Sequence, residues 1–242
     1  MSEGTGLSRD ALKLAAMISM VLDHAALALV PAGTAAYAAL RFAGRLSYPV
    51  FMMLFADGCW RSQMPAHLRM LKLCLVAMIS EPFYDFAVFG TIFYPGMQNA
   101  MWSWVLAVPW FRWIAYSWDE VAAGRMDRFS RSVLSAVFAV ILIFVCGFFH
   151  VDYGTLHGAC AVVCGIVIAD GPIAGRTKVC GVASAVATAV SMRMPGALLA
   201  VPASLAYVPS KEGRFRVPKA VGYLFYPVHL ALLSAVRSLV GR

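Results

Sequence analysis

The chain has 242 residues, a formal net charge of +8, 61% hydrophobic residues and only 13% charged residues. Soluble domains contain about 45–50% apolar and about 25% charged residues. A mean hydropathy of +0.75 therefore excludes an ordinary soluble domain and indicates a polytopic membrane protein.

The apolar segments predict a bundle of transmembrane helices. A helix needs roughly 17–25 residues to cross the hydrocarbon core, so we predict an all-α fold of about nine helices, with a range of eight to ten. We predict one integral membrane domain over residues 1–242. The predicted spans, in chain order, are Asp10–Val30, Tyr37–Trp60, Leu68–Phe89, Ala100–Trp118, Ser132–Phe149, Gly154–Ala169, Val179–Met192, Gly196–Val208 and Val221–Leu239.

The basic residues predict the orientation of this bundle. With a cytoplasmic N-terminus, every second connection is basic and the connections between them carry almost no positive charge, as the positive-inside rule requires. The basic residues on the predicted inside are Arg9, Lys13, Arg61, Arg69, Lys72, Arg125, Arg128, Arg131, Arg176, Lys178, Lys211, Arg214, Arg216 and Lys219. The positive charge therefore indicates membrane lipids as partners, and we predict no nucleic-acid partner.

Ionisable residues inside the predicted spans are the main indication of function. Asp23 and His24 are neighbours in the middle of the apolar run Leu12–Val30. An ionisable side chain near the bilayer centre costs about 2.5–3.5 kcal/mol by insertion scales, so it normally faces a protein interior or a cavity. Further ionisable groups in or near the spans are Arg41, Arg45, Glu81, Asp85, Asp152, His157 and His229. We predict one polar chamber that contains them and opens towards the periplasm.

Helical spacing predicts which of these groups share a face. Glu81 and Asp85 are four residues apart, as are Arg41 and Arg45, so each pair projects from one side of its helix. The two carboxylates and the two guanidiniums could form a buried network of ion pairs. The alternative interpretation is that the arginine–carboxylate pairs only hold helices together.

His24 is the candidate general base. A carboxylate beside an imidazole orients the ring and moves its titration towards working pH. Adjacent side chains on a helix point about 100° apart, so the predicted partner of His24 is Asp23, Glu81 or Asp85.

Six short motifs in register resemble those of the TraX family. They are residues 20–24 (MVLDH), 44–51 (GRLSYPVF), 80–85 (SEPFYD), 98–99 (QN), 152–154 (DYG) and 225–230 (FYPVHL), and they extend over nearly the whole chain. The resemblance implies a protein of the bacterial inner membrane that takes part in conjugation. It also implies acetylation of the N-terminus of a conjugative pilin subunit, with acetyl-CoA as the acyl donor.

The resemblance and the residues together give a mechanistic hypothesis. His24, oriented by Asp23 or Glu81, removes a proton from the α-amino group of the pilin. Arg45, with Asn99 or Tyr48, stabilises the oxyanion, and Asp85 completes the predicted catalytic set. The predicted substrate-binding residues are Arg41, Tyr48, Asn99, Asp152, His157, Tyr226 and His229. No metal is expected.

The acyl donor is cytoplasmic, whereas the predicted chamber faces the periplasm. A basic stretch could attract the nucleotide phosphates of the donor, although a solvated loop is the other interpretation; it contains Lys211, Arg214, Arg216 and Lys219. This difficulty leaves two alternatives open. The same site would cleave or cyclise pilin peptide bonds without a cytosolic donor, or the bundle would act as a transporter or pilin chaperone.

Overall fold

The structure, a computed structural model, describes residues 6–152, 173–209 and 216–241. The helices are α1 (Arg9–Leu29), α2 (Ala35–Gly44), α3 (Ser47–Arg61), α4 (Ala66–Phe89), α5 (Ala100–Ala122), α6 (Arg128–Phe148), α7 (Ile173–Ser191), a 3-10 turn (Pro195–Leu199), α8 (Ala200–Leu205) and α9 (Lys219–Val240). In these ranges there is no β-strand, only two isolated bridges. The predicted all-α bundle is confirmed.

Local sequence signals explain several helix ends. Ser8, Thr34, Asn99 and Asp127 precede α1, α2, α5 and α6, and each side chain accepts a hydrogen bond from a backbone N–H in the first turn. Such caps satisfy donors that have no partner within the helix. Gly90 ends α4 in the left-handed conformation, with φ at 77°, which glycine adopts without steric cost.

Three helices in the described ranges are long and apolar enough to cross a membrane: α1, α6 and residues 220–240 of α9. The outer face of α6 exposes large apolar side chains, among them Val137, Ile141, Phe144 and Phe148. Exposed apolar surface of this extent suits contact with lipid. The chain is thus a helical membrane protein, and the side of the N-terminus stays a prediction.

The predicted single span Tyr37–Trp60 is wrong, because the helix is interrupted at Arg45 and Leu46, between α2 and α3. Side chains satisfy the carbonyl groups that the break exposes. The Ser19 hydroxyl lies 2.8 Å from the Ala43 carbonyl oxygen and 2.9 Å from that of Gly44. Ser47 donates to the Gly44 carbonyl at 2.9 Å. Since these carbonyls find partners, the helix can end inside an apolar segment.

The two short predicted spans, Val179–Met192 and Gly196–Val208, form a helical hairpin. The first is longer than predicted, because α7 begins at Ile173, and the second consists of the 3-10 turn and the short α8. Thr177 near the start of α7 and Tyr207 after α8 both donate to the Asp57 carboxylate. The two arms therefore return to the same end of the bundle. The predicted span Gly154–Ala169 lies outside the described residues.

Contacts between distant elements define two ends of the bundle. At one end, which we call the basic end, Arg9 of α1 pairs with Asp57 of α3, and Arg69 of α4 donates to the Gly58 carbonyl. At the opposite end, Asp85 of α4 accepts a hydrogen bond from the backbone of Tyr94. The positive-inside rule predicts that the basic end is cytoplasmic.

Close packing of α1 against α2 depends on Gly44. A Cβ atom at Gly44 would lie 2.5 Å from Asp23 Cβ and 2.7 Å from Asp23 Cα. Real Cβ atoms do not approach this closely, and the Asp23 backbone cannot rotate away as a flexible side chain would. Any side chain at position 44 therefore requires the two helices to separate.

We predict that Gly44→Ala lowers the free energy of unfolding by about 1–3 kcal/mol, the usual cost of overpacking. Thermal unfolding of the detergent-purified protein measures the change. Gly147→Ala in α6 is the matched control, because no atom outside the local backbone of α6 lies within 4 Å of the added methyl group. Equal melting temperatures for the two variants would contradict the close approach of α1 and α2.

Candidate functional site

Two histidines from the first and last described helices form a direct pair. His24 Nδ1 of α1 lies 2.6 Å from His229 Nε2 of α9. The two rings are stacked, with centroids 4.9 Å apart and an interplanar angle of 9°. The predicted carboxylate partner of His24 is therefore wrong: the structure places a second imidazole against the ring.

The hydrogen bonds fix the protons of this pair. His229 Nδ1 lies 2.8 Å from the Phe225 carbonyl oxygen, which can only accept, so Nδ1 carries a hydrogen. In a neutral ring, His229 Nε2 is then an acceptor, and His24 Nδ1 must donate to it. His24 Nε2 consequently carries a lone pair and no hydrogen. Within the described part of the chain, His24 Nε2 makes no hydrogen bond.

Aromatic side chains surround the pair. Phe225 stacks on His229 with centroids 4.9 Å apart, and Tyr226 packs edge-on against both imidazoles. Tyr226 also belongs to a buried apolar cluster with Tyr84 and Leu230. His229 is buried and His24 is half-buried. Aromatic and apolar side chains therefore line one side of the histidines. An unsatisfied polar group is costly there, which favours the hydrogen bonds from the Phe225 carbonyl through His229 to His24.

Asp23 lies between two arginines. Its Oδ2 is 2.8 Å from Arg41 Nη1, and its Oδ1 is 3.2 Å from Arg45 Nη2. The Arg45 side chain is 4% exposed and that of Arg41 is 20% exposed. The predicted pairing of these arginines with Glu81 and Asp85 is wrong, because Gly44 brings the end of α2 directly against Asp23. Two guanidiniums facing one carboxylate leave an excess of positive charge beside His24.

Glu81 has polar partners of a different kind. Its carboxylate accepts from the Asn99 backbone at 3.0 Å, from the Asn99 side chain, and from Trp102 Nε1 at 2.7 Å. Asn99 Nδ2 also donates to the Ala77 carbonyl at 2.9 Å. Both N–H bonds of the Asn99 amide are therefore engaged, and Asn99 is buried. Asn99 connects α4 to α5 and has no free donor for an oxyanion.

The other predicted residues fall into two places. Asp85 accepts from the Tyr94 backbone at 2.7 Å, and Asp152 Oδ2 lies 3.4 Å from the Tyr84 hydroxyl, so both belong to the same end of the bundle as Glu81. Tyr48 is buried in the aromatic core, with its ring centroid 6.0 Å from that of Trp104. His157 lies outside the described residues.

These hydrogen bonds and ion pairs of the described residues divide the predicted site residues into two groups. Asp23, His24, Arg41, Arg45, Tyr226 and His229 form one, which we call the histidine site. Glu81, Asp85, Asn99 and Asp152 form the other. Asp57 is not among the predicted site residues, although it is 1% exposed and pairs with two arginines. The rule that selected Asp23 applies to it equally, since Asp57 also interrupts an apolar run.

Comparison with known proteins assigns the family. The sequence profile described as "TraX protein" matches residues 8–237. The chain belongs to the TraX family. It is 28% identical, over 98% of both chains, to a protein of Dichelobacter nodosus named "Probable fimbrial assembly protein FimC, serogroup H1". No solved structure matches the chain.

We predict that Asp23→Asn lowers the free energy of unfolding by about 3–5 kcal/mol, because two guanidiniums lose their buried counter-ion. Equilibrium unfolding of the purified protein measures this change. Asp119→Asn is the control, since Asp119 is exposed on α5 and a surface substitution changes stability by about 0.5 kcal/mol or less. A wild-type unfolding midpoint for Asp23→Asn would show that the ion pairs do not stabilise the α1–α2 junction.

Proposed function

We propose that the protein is a pilin-maturation enzyme of the bacterial inner membrane. It transfers an acetyl group from acetyl-CoA to the N-terminal amine of a conjugative pilin subunit, with His24 as the general base. The observation that carries the proposal is the chain from the Phe225 carbonyl through His229 to His24, which leaves a lone pair on His24 Nε2. Family membership and the fimbrial name of the relative support a pilin as the substrate.

The chemistry requires a base of modest strength. An α-amino group has a reference pKa of about 7.7–8.0, so removal of one proton exposes the nucleophilic lone pair near neutral pH. The α-ammonium group first gives one proton to solvent, and His24 Nε2 takes a second proton from the nitrogen as the new N–C bond forms and the C–S bond of the thioester breaks. The proton on His24 then passes to the leaving thiolate. Acetyl-CoA supplies only the activated acyl group.

Arg41 replaces Arg45 as the proposed source of oxyanion stabilisation. Arg45 is almost fully buried and holds Asp23 in place, whereas Arg41 is the more exposed member of the pair. One preorganised donor at a developing oxyanion contributes about 2.7–4 kcal/mol. Arg41 of α2 pairs with Asp23, the neighbour of His24, so it can donate a hydrogen bond to the oxyanion of an acyl group held beside His24.

The depth of the histidine site favours a second candidate function. His24 lies fifteen residues after Arg9 on α1, which places it about 22 Å along the helix from the basic end. A cytosolic acyl donor must reach across that distance. Cleavage or head-to-tail cyclisation of the pilin at His24 would need no such donor.

Mass spectrometry separates these functions. The purified protein is incubated with acetyl-CoA and a peptide that carries the N-terminal residues of a conjugative pilin. We expect the peptide to gain one acetyl group, and His24→Ala to slow the reaction by about 10²–10⁴-fold, the range for a lost general base. His67→Ala is the control. His67 lies at the start of α4, at the basic end of the bundle and far along α4 from Glu81. Loss of water would support cyclisation instead, and undiminished turnover by His24→Ala would exclude His24 from the mechanism.

His229 is a positioning residue in this proposal, and its substitution tests the proton assignment. We predict that His229→Leu lowers turnover by about tenfold, as the loss of one hydrogen bond implies, and displaces the pH profile of the reaction. His229→Gln restores part of the rate, because its side-chain oxygen can accept from His24 Nδ1. Identical profiles for wild type and both variants would contradict the assignment.

A further inference from the structure

Four arginines from four helices surround the C-terminal end of α3. They are Arg9 of α1, Arg61 of α3 itself, Arg69 of α4 and Arg112 of α5. We propose that these arginines, the arginine cluster, form a binding site for the phosphate group of a small anionic ligand. Its nucleotide form rests on the proposed acetyl-CoA donor, but binding at the cluster can be measured apart from the reaction at His24.

Among the described residues, one carboxylate contacts the cluster. Asp57 Oδ2 lies 2.7 Å from Arg9 Nη1, and Asp57 Oδ1 lies 2.7 Å from Arg61 Nε. Thr177 and Tyr207 donate to the same carboxylate, so its lone pairs are already engaged. Asp57 therefore holds two of the arginines in place and has no capacity to neutralise the other two.

Backbone carbonyls hold the remaining arginines. Arg69 Nη2 donates to the Gly58 carbonyl at 3.0 Å, and Arg112 Nη1 lies 3.2 Å from the Ser62 carbonyl oxygen. The negative end of the α3 dipole favours cations here, yet a helix terminus amounts to only about half an elementary charge. The groups of the described ranges therefore compensate only part of the positive charge of the cluster.

Donors from two of the helices converge at Gly58. A Cβ atom at this position would lie 3.3 Å from Arg9 Nη2 and 3.7 Å from Arg69 Nη1, so the two guanidiniums approach the same glycine. Arg69 is 91% buried, and its Nε makes no hydrogen bond within the part of the chain that the structure describes. Arg9 and Arg61 are each 43% exposed, which leaves the cluster open to a ligand.

Phosphate is the group that fits these donors. A guanidinium presents its N–H bonds as a planar fork that matches two phosphate oxygens, and the charge-assisted bonds are about twice as strong as neutral ones. The positive-inside rule predicts that this end is cytoplasmic, where two sources of phosphate meet it. One is the nucleotide part of a soluble acyl donor such as acetyl-CoA, and the other is the headgroup of an anionic phospholipid.

A binding experiment tests the proposal without any turnover. The protein is reconstituted in phosphatidylcholine nanodiscs and titrated with adenosine 3′,5′-bisphosphate by calorimetry. In a second arm, its melting temperature is compared in nanodiscs with and without phosphatidylglycerol. We expect saturable binding or a raised melting temperature in at least one arm, and a loss of roughly tenfold or more in affinity for Arg69→Gln.

Matched variants make the outcome decisive. Arg125→Gln is the control, since Arg125 is exposed and pairs with Glu120 away from the cluster. If Arg69→Gln does not fold, Arg61→Gln serves, because Arg9 still holds Asp57. His24→Ala should retain full binding, which separates this proposal from the one for the histidine site. Absence of any effect in both arms, or equal responses from the cluster variants and Arg125→Gln, would overturn the proposal.

Discussion

The structure depends on one constraint: an ionisable or polar group in an apolar interior needs a partner, because leaving it unpaired costs several kcal/mol. The chain meets this constraint twice in the same way. Asp23 lies between Arg41 and Arg45, and Asp57 lies between Arg9 and Arg61. In each case one carboxylate organises two guanidiniums from different turns or helices and leaves an excess of positive charge.

The same constraint explains how the last helix is held. Ser234 of α9 donates to the Phe83 carbonyl, and Arg237 donates to the carbonyls of Phe86 and Ala87, all in the turns of α4 that follow Pro82. The last carbonyls of a helix have no intrahelical N–H partners, and Phe86 and Ala87 lie in the last turn of α4, which ends at Phe89. Polar side chains of α9 supply alternative donors. The register of α9 is thereby fixed, and with it the position of His229 against His24.

The two positive sites differ in what they offer to chemistry. At the histidine site, an imidazole lone pair and a partly exposed guanidinium lie in apolar surroundings, an arrangement suited to general-base catalysis and to stabilising a developing oxyanion. In the arginine cluster, donors of Arg9 and Arg69 approach one glycine, Gly58, an arrangement suited to holding an anion. An acyl donor that extends along α1 could bind through its phosphates at the arginine cluster and react at the histidine site.

The sequence by itself determined the fold class and the most informative residues. Hydropathy predicts helices over α1, α4, α5, α6 and α9 because burial in lipid is encoded locally, residue by residue. The cost of charge in an apolar run selects Asp23, His24 and His229 on the same grounds. The rule also applied to Asp57, which was overlooked within a span taken to be continuous.

Only the tertiary structure decided the partners. Nothing local in the sequence shows that Arg41 and Arg45 face Asp23 and not Glu81. Their position depends on the interruption of the helix at Arg45 and on the close approach of α1 and α2 that Gly44 permits. The pairing of His24 with His229 joins residues 205 positions apart. Helical periodicity reports which side chains share a face of one helix, whereas which faces meet depends on how all the helices pack together.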